Sequence, residues 1–259
     1  MRNDVSFVLI SLEGGKRFFK NNISLSNINF QIFGINGKDL RAEKYFKTMF
    51  SNDHKLLSPS EIGNRNSHII AIESFLASSS NFCCILEDDV TVNSNIFFDL
   101  IKSLSLNSFD FIHLGGLEGL RINTAFKRYE KNKSVCAISK FELNTLWRAC
   151  GYIINKKAAQ EIIDAQEKDV LVSDNWSTLF KNKKLNYGFC KCVNHPELLN
   201  NWIFARETAL KKIRQIEKVS NKDFNIFLIN IPSLIKKGNK NVKNCNGYRS
   251  RNRSWQESF

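Results

Sequence analysis

Glu87, Asp88 and Asp89 follow one another at the end of the apolar run FCCIL (Phe82–Leu86), and Val90 then resumes the apolar character. Three adjacent carboxylates repel one another, and burying any of them is costly unless a cation or a hydrogen-bond donor compensates. Residues on a strand alternate sides, so Glu87 and Asp89 are expected to point one way and Asp88 the other. Two carboxylates on one side of a strand end can hold a hard divalent cation. Mg²⁺ and Mn²⁺ prefer oxygen ligands and commonly share their shell between one or two carboxylates and substrate phosphates. The competing reading is a solvated acidic turn. Other chemistries have less to stand on. No GxxxxGK[ST] loop, GxGxxG, HExxH or GxSxG occurs, which removes the usual support for P-loop, dinucleotide, zincin and serine-hydrolase sites. His54, His68, His113 and His195 are scattered, and a lone histidine is more often structural than functional.

The acids need elements that hold them in place. Val5–Leu12 (VSFVLISL) is a near-continuous apolar run and is expected to form a buried strand, as is INFQIFGI (Ile28–Ile35), closed by the Asn36-Gly37 turn. Ser58-Pro59-Ser60-Glu61 is a helix start: Ser58 caps, Pro59 takes the first helical position and Glu61 completes a capping box. That helix is expected to run through SHIIAIESFLAS, with Ile62, Ile69, Ile72 and Leu76 near one face. FCCILEDDV is the next strand, NIFFDLIKSLS a helix, and FDFIHLGG (Phe109–Gly116) a strand ending in Gly115-Gly116. Cys150–Ile154 then feeds a helix over Lys156–Lys168, and LNYGFCKCV is a late strand. Strands alternating with helices predict an α/β fold, a Rossmann-type, mainly parallel sheet flanked by helices. In such sheets ligands bind beyond the carboxyl ends of the strands, where both the acid run and Gly115-Gly116 are expected.

The 259 residues carry a formal net charge of +13. The segment 201–259 holds 13 Lys/Arg against four Asp/Glu, so most of the excess is near the end. We therefore expect a catalytic domain over residues 1–205 and a basic, partly helical extension over 206–259. A basic end suits an anionic partner: a phosphorylated glycolipid, a membrane surface or nucleic acid. The opening MRNDVSFVLISLEGG lacks the pattern of a secretory signal, and no apolar stretch approaches the ~20 residues that span a bilayer. A cytoplasmic location is expected. The seven cysteines are expected to be reduced thiols that pack as small hydrophobes. Cys190-Lys191-Cys192 lacks the second ligand pair that a structural zinc needs.

Several segments, in order, resemble glycosyltransferase family 25, the bacterial lipooligosaccharide β-galactosyltransferases and their relatives. These are VLISLEGGKRFFKNN, FQIFGINGKDL, LSPSEIGNRNSHIIAIES (with Glu61, Gly63, Ser67 and His68), ILEDDV, FDFIHLGG, ACGYIINKKAAQEII, and Asp174 in VSDNW. The resemblance spans roughly Val5 to Leu199 and departs from the family pattern at Asn64, where the family usually has Cys, and at Cys150-Gly151-Tyr152. It implies a GT-A-like fold and an inverting transfer of a hexose, most often galactose from UDP-galactose, onto a growing lipooligosaccharide. It also implies roles. Asp89, with Glu87, would hold Mn²⁺ or Mg²⁺ against the diphosphate. Glu87 or Asp88 would touch ribose, Ser11 and Leu12 would meet uracil or ribose, and Lys16 or Arg17 would assist the diphosphate. Ser67 and His68 would face the donor, and Gly115, Gly116 and Tyr152 would lie on the acceptor side. Asp174 would be the general base that inversion requires, with Trp176 stacking on a sugar. As partners the resemblance implies a UDP-hexose, a glycolipid acceptor and peripheral attachment to an anionic membrane surface.

Two other classes compete. The stretch YRSRNRSW (Tyr248–Trp255) interleaves arginines with aromatics, as single-strand nucleic-acid binders do. Such a binder has no use for three acids at a strand end, so no nucleic-acid partner is expected. A sugar nucleotidyltransferase also uses strand-end acids together with a glycine-rich basic loop, which LEGGKRFF (Leu12–Phe19) partly imitates.

Overall fold

The computed structural model describes residues 4–40, 57–104, 108–117, 127–129, 135–181 and 184–196. The boundary expected near residue 205 and the basic extension lie outside them. The elements in order are β1 (Val5–Ile10), α1 (Lys16–Asn21), β2 (Phe30–Phe33), α2 (Pro59–Ala77), β3 (Phe82–Glu87), β4 (Thr91–Val92) and α3 (Ser94–Ser103). They are followed by β5 (Phe111–Gly115), β6 (Cys136–Ile138), β7 (Gly151–Asn155), α4 (Lys156–Lys168), α5 (Trp176–Leu179) and β8 (Tyr187–Asn194).

The strands form one sheet in the order β2-β1-β3-β7-β5-β8-β4, with β6 pairing to β8. β1, β2, β3, β5 and β8 run in one direction, so the α/β, mainly parallel expectation holds. β7 is reversed between β3 and β5, and β4 and β6 run against β8. Val8, Leu9, Cys83, Cys84, Ile85, Leu86, Phe111, Leu114 and Ile154 are all buried, which is why these runs show no polar alternation. The strands are shorter than the apolar runs suggested: β1 stops at Ile10, and β2 covers only Phe30–Phe33. The described cysteines are buried, and burial pushes the Cys83 and Cys84 thiols up, so these two pack rather than react.

The capping box at the start of α2 is present. Ser58 Oγ accepts from Glu61 N at 3.3 Å, and Glu61 Oε2 accepts from Ser58 N at 2.8 Å. α2 buries Ile62, Ala71, Ile72 and Phe75 as an amphipathic helix should, and it also buries Arg65, Ser67 and His68. Arg65 is held by Gln166 of α4, through Oε1 at 2.7 Å and the carbonyl at 3.1 Å. Ser67 Oγ donates to Gly63 O and accepts from Ile35 N, both at 2.8 Å, which pins the helix to the turn after β2. Closeness is essential at this crossing: a Cβ on Gly63 would lie 2.5 Å from Ile35 O and 2.6 Å from Gly37 N.

Gly63→Ala therefore sets two effects against each other. Helix propensity favours Ala by about 1 kcal/mol. Forcing a methyl into backbone that cannot retreat costs about 1–3 kcal/mol. We expect net destabilisation, read as a lower urea midpoint with an unchanged slope; a higher midpoint would show that the crossing is loose.

Candidate active site

The carboxyl ends of β1, β2 and β3 share one edge of the sheet, and a cleft of about 360 Å³ opens there. Its lining includes Ser11, Leu12, Arg17, Asn36, Ser60, Asn64, Ser67 and all three acids. The backbone of the acid run is clamped from both sides: Glu87 N donates to Cys150 O at 2.9 Å, and Asp88 N donates to Ile10 O at 3.1 Å.

The strand ends at Glu87, and the expected alternation of the acids ends with it. The three carboxylates fan out to three different elements instead. Glu87 Oε1 accepts from Asn64 Nδ2 at 2.6 Å and lies 3.2 Å from His68 Nε2 on α2. Asp88 Oδ2 accepts from Ser11 Oγ at 2.6 Å. Ser11 Oγ in turn accepts from Gly15 N at 3.0 Å and Glu13 N at 3.2 Å, so the turn between β1 and α1 is wound around one hydroxyl. Gly14 and Gly15 supply the positive φ values this turn needs. Asp89 Oδ2 lies 3.1 Å from His195 Nε2, just past the end of β8.

Glu87 is acceptor-only as a carboxylate, so His68 carries its proton on Nε2, and Nδ1 receives the Tyr152 hydroxyl at 2.8 Å. Asn64 Oδ1 accepts from Ser173 Oγ at 2.8 Å. The chain Ser173–Asn64–Glu87–His68–Tyr152 thus ties the loop before α5 to the cleft floor. His195 faces oxygens on both sides, Asp89 Oδ2 and Pro196 O at 2.8 Å, so it donates from both nitrogens, as imidazolium does. The hydrogen bond to Asp89 raises its pKa against the opposing effects of burial and of Arg148. Burial on its own would raise the Asp89 carboxyl, but the hydrogen bond and charge of His195, with Arg17, hold it below the usual carboxylate value.

A cation fits this edge at one atom. Asp89 Oδ1 is buried and has no hydrogen-bond partner among the described residues. Glu87, the second expected ligand, already commits Oε1 to Asn64 and His68. Among the described residues no group of three His, Cys, Asp or Glu gathers to hold an ion. A cation at Asp89 would thus take most of its shell from phosphate and water.

Farther along the same edge, Gly115 and Gly116 end β5 with φ of 110° and 75°. Their carbonyl side meets Arg148, whose Nη1 donates to Gly116 O at 2.6 Å. Asp174 Oδ2 accepts from Arg148 N at 3.1 Å and does not line the cleft.

A sequence model of glycosyltransferase family 25, described as an LPS biosynthesis protein family, matches residues 5–177. The chain belongs to this family. It is a glycosyltransferase, and its mainly parallel α/β sheet is the one expected. No curated protein matches. Among solved structures it is similar to A197 from STIV, with 16% identity and a TM-score of 0.41 over 74% of this chain and 83% of that one. It is also similar to residues 1–349 of S. aureus TarS in complex with UDP, with 10% identity and a TM-score of 0.40 over 72% of this chain and 60% of that one. A third is the glycosyltransferase GlyE of Streptococcus pneumoniae TIGR4, with 15% identity and a TM-score of 0.37 over 71% of this chain and 44% of that one.

In this family 25 glycosyltransferase the donor-side residues singled out from sequence, Ser11, Leu12, Arg17, Ser67, Glu87, Asp88 and Asp89, all line one cleft. His68 sits behind it, buried and bonded to Glu87. Two expectations on the acceptor side are corrected. Trp176 is 1% exposed and is packed by Phe111, Tyr152 and Phe180, so its faces are covered by protein and cannot stack on a sugar. Tyr152 is buried and gives its hydroxyl to His68, so it supports the site from behind. Sequence reasoning left His195, Asn64, Ser173 and Arg148 without a role. His195 lies beyond the end of an apolar strand, the same signal that marked the acids. Asn64 falls at helical spacing with Ser60, Ser67 and His68. No signal marked Arg148.

The raised imidazole of His195 contributes stability that is present at low pH and is lost as pH rises through its folded pKa. The lowered carboxyl of Asp89 contributes stability that is present above the ordinary carboxylate range and is lost as pH falls through its folded pKa. Asp89→Asn should therefore cost more stability near about pH 5.5 than near about pH 9. Urea midpoints at both values check this, and an equal loss would show that the pair is not ionic.

Proposed function

We propose that this chain is an inverting glycosyltransferase that moves a hexose, galactose from UDP-galactose, onto a lipooligosaccharide or related glycan. Family membership supports the class of reaction. The observation that carries the donor assignment is the cleft at the carboxyl ends of β1, β2 and β3, floored by three separately anchored acids with Arg17 in its lining. A nucleotide diphosphate brings anionic oxygens that need cationic neighbours, and ribose brings hydroxyls that need acceptors; this cleft offers both. When bound at Asp89, Mn²⁺ or Mg²⁺ would neutralise the charge that develops on the leaving diphosphate.

The chain's own groups account for the rest. Arg17 adds positive charge beside the diphosphate. Glu87 and Asp88, fixed by α2 and by Ser11, are ribose acceptors that need no reorientation on binding. The acceptor hydroxyl attacks the anomeric carbon opposite the departing diphosphate, the bond from that carbon to the diphosphate breaks, and the hydroxyl proton passes to a base. Asp174 is the base in this assignment. Its hydrogen bond from Arg148 N, whose guanidinium binds Gly116 O, supports this reading by fixing the carboxylate. The basic segment 206–259 serves as the contact with an anionic membrane surface. Among the described residues no helix is long and apolar enough to cross a membrane.

A thermal-shift panel of UDP-, GDP- and CMP-sugars with and without Mn²⁺ tests the donor: a UDP-hexose plus metal should raise the melting temperature most, and a response to CMP- or GDP-sugars alone would overturn the assignment. Asp89→Ala should abolish transfer in a protein that still melts cooperatively; retained metal-dependent turnover would remove Asp89 as ligand. Asp174→Asn keeps an acceptor for Arg148 N, so UDP binding should persist while turnover falls by roughly 10²-fold or more. Unchanged turnover would exclude Asp174 as base.

A further inference from the structure

The structure buries the tryptophan expected to stack on a sugar and displays another. Trp147 is 53% exposed, on the segment that leads into β7. An exposed indole on a loop would ordinarily call for no explanation, but the backbone beside it is held with unusual care. Arg148 has φ of 68°, a left-handed conformation that strains the backbone of a non-glycine residue. Three groups hold it there, one on β5 and two from the start of α5 and the loop before it. Asp174 Oδ2 accepts from Arg148 N at 3.1 Å, while His113 Nε2 at 3.1 Å and Trp176 Nε1 at 3.4 Å both reach the Arg148 carbonyl. Burial lowers His113 to about 4, so its imidazole is neutral; with Nδ1 accepting from Gly115 N at 3.2 Å, Nε2 is left as the donor. The guanidinium of Arg148 is fixed on Gly116 O. The buried Trp176 thus serves as a support for the turn that carries the exposed Trp147.

The location fits the chemistry. Arg148 binds Gly116 at the carboxyl end of β5, and a Cβ on Gly116 would lie 3.5 Å from the Cβ of His195. His195 Nε2 in turn lies 3.1 Å from Asp89 Oδ2. The strained turn therefore stands beside the Asp89 end of the donor cleft, on the side away from the turn between β1 and α1. We propose that Trp147 is the platform on which a pyranose ring of the acceptor glycan stacks, presenting its hydroxyl toward the donor. The apolar C–H face of a pyranose suits the face of an indole, which gives contact area at low conformational cost, and the rigid turn removes the cost of ordering it on binding. This inference rests on the assignment of the acid edge as the donor site.

Saturation-transfer NMR on the full chain tests it, with methyl β-galactoside, β-glucoside and heptoside as one set of probes and UDP as a separate one. At least one glycoside should show ring-proton enhancements with wild type. These should fall by about fivefold or more in Trp147→Ala and be largely kept in Trp147→Phe. The UDP enhancements should be the same in all three proteins. Equal glycoside signals in wild type and Trp147→Ala would overturn the proposal, as would no glycoside signal in wild type. A loss of UDP rather than glycoside signal in Trp147→Ala would also overturn it, by making the indole a nucleobase platform. Absence of UDP enhancements from wild type would contradict the donor assignment, while the glycoside comparison would still decide the role of Trp147.

Discussion

Two backbone hydrogen bonds, Glu87 N to Cys150 O and Asp88 N to Ile10 O, lock the acid run between its two neighbouring strands. Without such a lock three consecutive carboxylates would separate. A pair of like charges ~5 Å apart costs roughly 3 kcal/mol at an effective dielectric of about 20. The fold meets that repulsion by giving each acid its own partner on a different element: Asn64 and His68 for Glu87, Ser11 for Asp88, His195 for Asp89. The three acids become a rigid floor, and one oxygen, Asp89 Oδ1, is left with nothing to accept from among the described residues.

That arrangement divides the carboxyl edge of the sheet into two regions. One is the cleft under α2 and the turn between β1 and α1, where polar groups are already oriented by their neighbours. The other is the Arg148 turn, where backbone strain is held in place by Asp174, His113 and Trp176. His195 connects them, bonded to Asp89 on one side and close to Gly116 on the other. A transfer reaction needs two substrates to meet at one atom. In the proposed transfer the cleft would take the donor and the Arg148 turn the acceptor, with the acids at the seam.

Much of this was legible in the sequence, for definite physical reasons. Strands buried on both faces read as continuous apolar runs, so VSFVLI, FCCIL and FIHL declared themselves. Ser58, Pro59 and Glu61 marked the start of α2 because capping is local chemistry. Strand direction was not legible. The reversal of β7 between β3 and β5 leaves no trace in an apolar pattern that looks the same both ways. The fan of the acids was hidden for a related reason: the two-residue alternation applies only while the chain is a strand, and the strand ends at Glu87. Trp176 misled because a tryptophan beside polar residues looks exposed, and only the packing of Phe111, Tyr152 and Phe180 around it shows otherwise. Trp147 and Arg148 could not be found at all, since a left-handed turn at arginine has no sequence signature.

The central claim is that the acid edge is where a nucleotide diphosphate and its cation sit. The most direct measurement is diffraction from crystals grown with UDP and Mn²⁺, with data collected at the manganese absorption edge. We expect an anomalous peak within coordination distance of Asp89 Oδ1, bridged to diphosphate density that extends toward Arg17. UDP density elsewhere on the molecule, or UDP in this cleft with no peak at Asp89, would contradict that claim.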